Sequence, residues 1–141
     1  SCIMPIRPYT AADHDSVVAL WSKVFDYSHA HNSAEGAIRR KEDFGDGLFY
    51  VAAHRSKVVG TVMLGWDGHR GWIYSLAVDP DFQKRGIGTD LIHHGEKILK
   101  EKGCPKINLQ VLAKNSSVVA FYKSLGYVVE ERVSMGKRLT E

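Results

Sequence analysis

The chain has 141 residues, 44% of them hydrophobic and 25% charged, with a formal charge of +3. That length suits one domain with a real core, and the composition excludes disordered and fibrous classes. Lys and Arg are scattered, with Asp or Glu close to most of them, so no basic stripe points to nucleic acid.

No apolar run approaches the ~20 residues that span a bilayer, so no membrane segment is expected. The opening Ser1-Cys2-Ile3-Met4-Pro5 lacks the charged and apolar regions of a secretion signal. Cys2 and Cys104 are too few and too far apart for a disulfide framework. Two free thiols in a reducing, cytoplasmic setting are the expectation.

Residues 3–9 are apolar and β-tolerant and predict a first strand. Thr10-x-x-Asp13 resembles a capping box with Asp in place of Glu or Gln. Val17, Leu20, Trp21 and Val24 then trace one apolar stripe of a helix. A more polar helix is predicted from Ser33 to Phe44, ended by Gly45 and Gly47. Residues 48–53 and 58–64 read as a β-hairpin turning at Arg55-Ser56-Lys57. Asp67-Gly68-His69-Arg70-Gly71 reads as a loop, and residues 72–78 as a strand stopped by Asp79-Pro80.

Ile87, Leu91, Ile92, Gly95, Ile98 and Leu99 mark one face of a helix over 86–101, with Gly103 as its stop. A strand comes next over 106–111. Val118, Phe121, Tyr122 and Leu125 trace another helix, and strand-like segments lie at 127–133 and 135–139. The order β-α-α-β-β-β-α-β-α-β-β predicts an α/β domain with a mixed sheet, one domain over residues 1–141.

The chemistry concentrates where the 72–78 strand meets the 86–101 helix, at Gln83-Lys84-Arg85-Gly86-Ile87-Gly88. A helix N-terminus presents backbone N–H groups without intrahelical partners and carries partial positive charge. Glycines there let a backbone approach an anion closely, and a diphosphate is the natural guest. A Walker loop needs Gly-Lys-Ser/Thr, but Gly88 is followed by Thr89-Asp90. A dinucleotide fingerprint needs a third glycine where Leu91 stands. Alone, the two glycines do no more than make a tight strand–helix connection.

They are not alone. The stretch Leu76 to Gly88, L-A-V-D-P-D-F-Q-K-R-G-I-G, resembles the acetyl-coenzyme A motif of the GNAT superfamily of N-acetyltransferases. Asn115-x-x-Val118-x-x-x-Tyr122-x-x-x-Gly126-Tyr127 resembles the second signature of the same family, with Val118 where alanine is usual. The resemblance implies that the 72–78 and 106–111 strands splay and admit the pantetheine arm. It places the backbone of Leu76, Ala77 and Val78 against that arm, one N–H polarising the thioester carbonyl. It places the amides of Gln83, Lys84, Arg85, Gly86, Ile87, Gly88 and Thr89 against the diphosphate. Asn115 would bond the cofactor arm or cap the next helix.

Tyr122 falls at the family's general acid, which protonates the departing thiolate; it also lies on an apolar stripe where a tyrosine fills core. Many relatives carry a basic Glu on the strand matching 72–78, but this strand offers Tyr74 and Ser75. Asp67 and His69 are alternatives, and no base is assigned. The Asp67–Gly71 loop reads either as a substrate-side wall or as a polar connection. The motif D-G-H-R-G after a G-T-V-M strand is similar to a small bacterial subgroup close to the ribosomal-protein N-terminal acetyltransferases.

His93-His94 are adjacent on a helix and point apart, and His29-x-His31 has no carboxylate–histidine cluster beside it, so no metal is expected. The expectation is direct transfer from acetyl-coenzyme A to a primary amine, either a protein amine or a small molecule. No nucleic acid or membrane partner is implied, and the chain is expected to be a monomer or homodimer. The rival readings are a non-catalytic acyl-coenzyme A sensor and a nucleotide-phosphate binder.

Overall fold

The computed structural model describes residues 4–26 and 33–140. Cys2, His29 and His31 lie outside the described residues. The elements run β1 (Ile6–Pro8), α1 (His14–Val24), α2 (Ala34–Phe44), β2 (Phe49–His54), β3 (Lys57–Trp66), β4 (Gly71–Val78), α3 (Ile87–Glu101), β5 (Ile107–Leu109) and α4 (Ser116–Ser124). They fall into two compact units, Ser1–Leu109 and Gln110–Glu141.

The first unit is a five-stranded sheet in the order β1-β2-β3-β4-β5, antiparallel except for the parallel β4–β5 pair. Helix α3 is the crossover that a parallel pair requires. Helix α1 begins where Thr10 and Asp13 set it: the Thr10 amide donates to the Asp13 carboxylate at 2.9 Å, and Arg7 clamps the same carboxylate through two bonds of 2.7 and 2.8 Å. Asp therefore performs the reach-back expected of a capping box. Ser33 caps α2, its hydroxyl accepting from the Gly36 amide at 3.0 Å, and Gly45 ends it.

The apolar stripe of α1 packs as its spacing predicts at Val17, Leu20 and Trp21, but Val24, in the last turn, is exposed. Val17, Leu20 and Trp21 join Ile38 of α2 and Phe49, Val51, Met63 and Ala77 of the sheet in one buried cluster. Leu91, Ile92 and Leu99 of α3 are likewise fully buried. Gly95 sits mid-helix because α3 lies tight against the sheet: a Cβ there would come 2.7 Å from a Leu64 methyl carbon.

In the second unit α4 forms, but the strands expected over 127–133 and 135–139 do not. Val128, Val129, Val133, Met135 and Leu139 stay exposed. The odd positions Tyr127, Val129, Val133, Met135 and Leu139 do share one face, interrupted by Glu131 and Lys137, but alternation and β propensity make no ladder unless a neighbouring strand pairs with the segment. Strand β5 is also shorter than the expected 106–111.

Candidate functional site

The β4–β5 ladder runs only from Gly71↔Ile107 to Ile73↔Leu109, whereas β4 continues to Val78. On its other side β4 stays paired with β3 through Thr61↔Ala77 and Gly60↔Val78. Leu76, Ala77 and Val78 thus have β3 on one side and no β5 ladder on the other. The register also slips. Met63 pairs with Tyr74 but Thr61 pairs with Ala77, so β4 carries one extra residue, a bulge at Ser75 and Leu76. Ser75 takes a left-handed φ of 52° without being glycine.

Asp79 ends the strand and shapes the turn beyond it. It is 1% exposed, and its amide donates to the Val59 carbonyl at 2.8 Å. Its carboxylate accepts from the Asp81 amide at 2.9 Å and lies 3.2 Å from Lys23 Nζ and 3.4 Å from Lys57 Nζ. Burial alone would raise its pKa, but the Asp81 amide and the two ammonium groups outweigh that and hold it below the usual carboxylate range. Pro80–Phe82 form a single tight helical turn. Arg85 lies over the Phe82 ring, 4.9 Å from its centroid, within cation–π reach.

Gln83, Lys84, Arg85 and Gly86 are exposed, and Ile87 turns inward as the buried anchor of α3. Gly86 is the N-cap, with φ of 80°, and no side chain caps the helix. A Cβ at Gly86 would meet nothing within 4 Å, so the space beside it is open. Gly88 and Thr89 lie in the first turn. Helix α3 is 15 residues long, and its dipole and first-turn N–H groups face that opening. The arrangement fits a diphosphate: backbone donors, accessible space and two exposed cations.

Tyr74 precedes the bulge on β4, and its hydroxyl accepts from Lys41 Nζ at 2.9 Å. Lys41 is buried and also donates to Asp46 at 3.0 Å and to the Leu64 carbonyl. The same Tyr74 hydroxyl donates to the Leu64 carbonyl at 3.4 Å, so Lys41 and Leu64 together fix the ring in place. Asp67 accepts from the His69 and Arg70 amides, both at 2.7 Å. Those bonds, Arg70 first, hold its pKa below the usual range. The carboxylate closes its own turn, and the exposed His69 rides on it.

In the second unit Asn115 is the N-cap residue of α4, but its side chain makes no capping bond. Its amide donates to the Leu112 carbonyl at 2.8 Å. Tyr122 is 7% exposed, edge-on to Phe121 and Tyr127 at 5.2 and 5.5 Å between ring centroids. Burial pushes its pKa up to about 12.

A family model described as acetyltransferase (GNAT) family matches residues 15–127. The chain belongs to the GNAT acetyltransferase family. A protein of Pectobacterium atrosepticum named as an acetyltransferase is 42% identical over 138 residues, 98% of this chain and 97% of that one. The GNAT fold is shared with the PaiA N-acetyltransferase of Thermoplasma acidophilum, solved in complex with coenzyme A, at TM-score 0.76 and 21% identity over 94% of each chain. It is shared too with the ribosomal-protein-S18-alanine N-acetyltransferase of Escherichia coli, at TM-score 0.74 and 23% identity over 88% of this chain and 77% of that one.

The GNAT motif thus marks the turn and the strand but not what holds them. Asp79 with Lys23 and Lys57, and Lys41 with Tyr74, are pairings that sequence reasoning misses. The one visible signal is Asp79-Pro80, which the sequence alone presents as a strand stop.

Proposed function

We propose that this acetyltransferase moves an acetyl group from acetyl-coenzyme A to a primary amine, by direct transfer within a ternary complex. The observation that carries the reading is the open N-terminus of α3 at Gly86, reached from a β4 that has lost its β5 partner beyond Ile73. The family match runs through both compact units, which supports one catalytic domain. Acetyl-coenzyme A supplies an activated acyl group. The chain's residues bind, orient and donate.

The amides from Lys84 to Thr89 hold the diphosphate, and Lys84 and Arg85 add charge at its rim. The backbone of Leu76, Ala77 and Val78 lies along the pantetheine arm, where a fixed N–H meets negative charge as it develops on the carbonyl oxygen. Asn115 binds the arm or steadies the loop before α4. Tyr122 Oη gives a proton to the departing thiolate sulfur. Burial keeps the phenol protonated throughout the neutral range but also makes it a weaker acid, so its part rests on placement against the sulfur rather than on its acidity.

On the acceptor side, Tyr74, Asp67 and His69 form the wall, with Asp67 meeting a cationic amine. The acceptor is a protein N-terminus, a lysine or a small amine. An acceptor screen over N-terminal peptides, polyamines and amino sugars, read by release of free thiol, tests the proposal. Saturable release with at least one amine is expected. Tight binding of acetyl-coenzyme A with no release across the panel would favour the non-catalytic sensor.

A further inference from the structure

The bulge on β4 is held by a chain of buried hydrogen bonds that starts on α1. Trp21 Nε1 donates to Thr61 Oγ1 at 2.8 Å, and Thr61 Oγ1 donates to the Ser75 carbonyl at 2.9 Å. Trp21 and Thr61 are both 0% exposed. Each link fixes the next: the hydroxyl has one proton, and because its oxygen accepts from the indole, that proton goes to Ser75. The carbonyl it fixes belongs to the residue with φ of 52°.

The peptide bonds of the described residues are trans. In a planar trans peptide the carbonyl and the N–H of the next residue point in opposite directions. The Ser75 carbonyl points at Thr61 on β3, so the Leu76 N–H points away from β3. That is the side on which the β5 ladder has already stopped at Leu109. We infer that Trp21 and Thr61 are positioning residues for the acetyl-transfer site: through the Ser75 carbonyl they aim the Leu76 N–H at the carbonyl oxygen of the bound acyl group. The inference rests on the proposed donor site and adds what aims that N–H.

A merely structural role predicts loss of stability; a positioning role predicts a change at the acyl carbonyl. Thr61→Val keeps the shape and removes the hydroxyl, and Thr61→Ser restores it. The probe is acetonyl-coenzyme A with a 13C-labelled carbonyl, which sets a ketone one methylene beyond the sulfur as a stand-in for the thioester carbonyl and cannot transfer. In Thr61→Val its bound carbonyl stretch should move to higher wavenumber. The preference of the protein for acetonyl-coenzyme A over a propyl analogue without the carbonyl should fall about tenfold, with Thr61→Ser close to wild type in both readouts. Trp21→Phe, which keeps the hydroxyl, should give a smaller upward shift and carries the test if Thr61→Val does not fold.

A folded Thr61→Val, or failing that Trp21→Phe, with the wild-type band and preference overturns the inference while leaving donor binding intact. Wild-type protein that binds neither analogue overturns the donor site and the inference together. Neither readout needs an acceptor, so the amine reading stands or falls separately.

Discussion

Gly86 carries the diphosphate reading at the scale of one residue, and it does so by what is missing beside it. Its φ of 80° disfavours most side chains, and the space where a Cβ would project is open. Asparagine tolerates the left-handed region and aspartate adds a charge of nearly the same shape, so the pair separates sterics from electrostatics. Gly86→Asp should weaken coenzyme A binding by about 100-fold or more, and Gly86→Asn by distinctly less, as measured by calorimetry. Equal affinities for the two variants would remove the charged guest from the cradle.

Tyr122 is the other residue-scale claim. Tyr122→Phe should lower kcat by about 10²-fold while leaving coenzyme A affinity within about twofold, the signature of an interaction made only in the transition state. Unchanged kcat would return the side chain to core filling among Phe121 and Tyr127.

Among the elements, the site depends on how β4 ends. Asp79 ties that end to β3 through its amide and to Lys23 of α1 and Lys57 of β3 through its carboxylate. Asp79→Asn keeps the Asp81 bond and leaves two ammonium groups without a counter-charge. With the two lysine side chains 44% and 52% exposed, water screens that loss, so the change should cost about 1–2 kcal/mol in denaturant unfolding and weaken coenzyme A binding, because the loop after β4 loses part of its anchor. Full stability with unchanged affinity would mean the two lysines find other partners.

The elements themselves are largely legible in the sequence, and for a local reason. The stripes of α1 and α3 and the apolar runs of β2 and β3 report what is buried, so these segments are observed close to where they are expected. The C-terminal strands are not observed, because the alternation over 127–139 marks a face but not the partner strand that a ladder needs. The site divides the same way. The glycine turn and the Asn115–Tyr127 signature are contiguous and can be read. The partners of Asp79, Thr61 and Lys41 lie 56, 40 and 33 residues away in sequence, at Lys23, Trp21 and Tyr74, and only folding joins them.

For the molecule as a whole, stability should follow the buried ionisable groups. Tyr122 and Tyr9 are both pushed up to about 12 by burial. A phenol whose folded pKa exceeds its ordinary value favours the native state by keeping its proton. That contribution is complete below about pH 10, where the unfolded phenol is still protonated, and is lost as pH rises from about 10 to about 12. Asp13 is held low, chiefly by the Arg7 hydrogen bonds, and Asp79 is low on balance. Their contribution is present above about pH 4 and is lost below it. Burial, and then Lys97, hold His94 below the usual histidine range, so its contribution is lost as pH falls below about 6.5. Thermal melts should therefore show a plateau between about pH 7 and 9.5 with falls on both sides. A melting temperature still rising between about pH 10 and 11 would contradict the alkaline limb.

Whether the α3 N-terminus serves acetyl transfer is decided by free thiol release from acetyl-coenzyme A across the amine panel, run on wild type and Gly86→Asp side by side. Saturable, amine-dependent release by wild type and its loss in Gly86→Asp is the expected result. Equal release by both proteins, or none by a wild type that binds ATP or NAD more tightly than coenzyme A, would overturn the assignment.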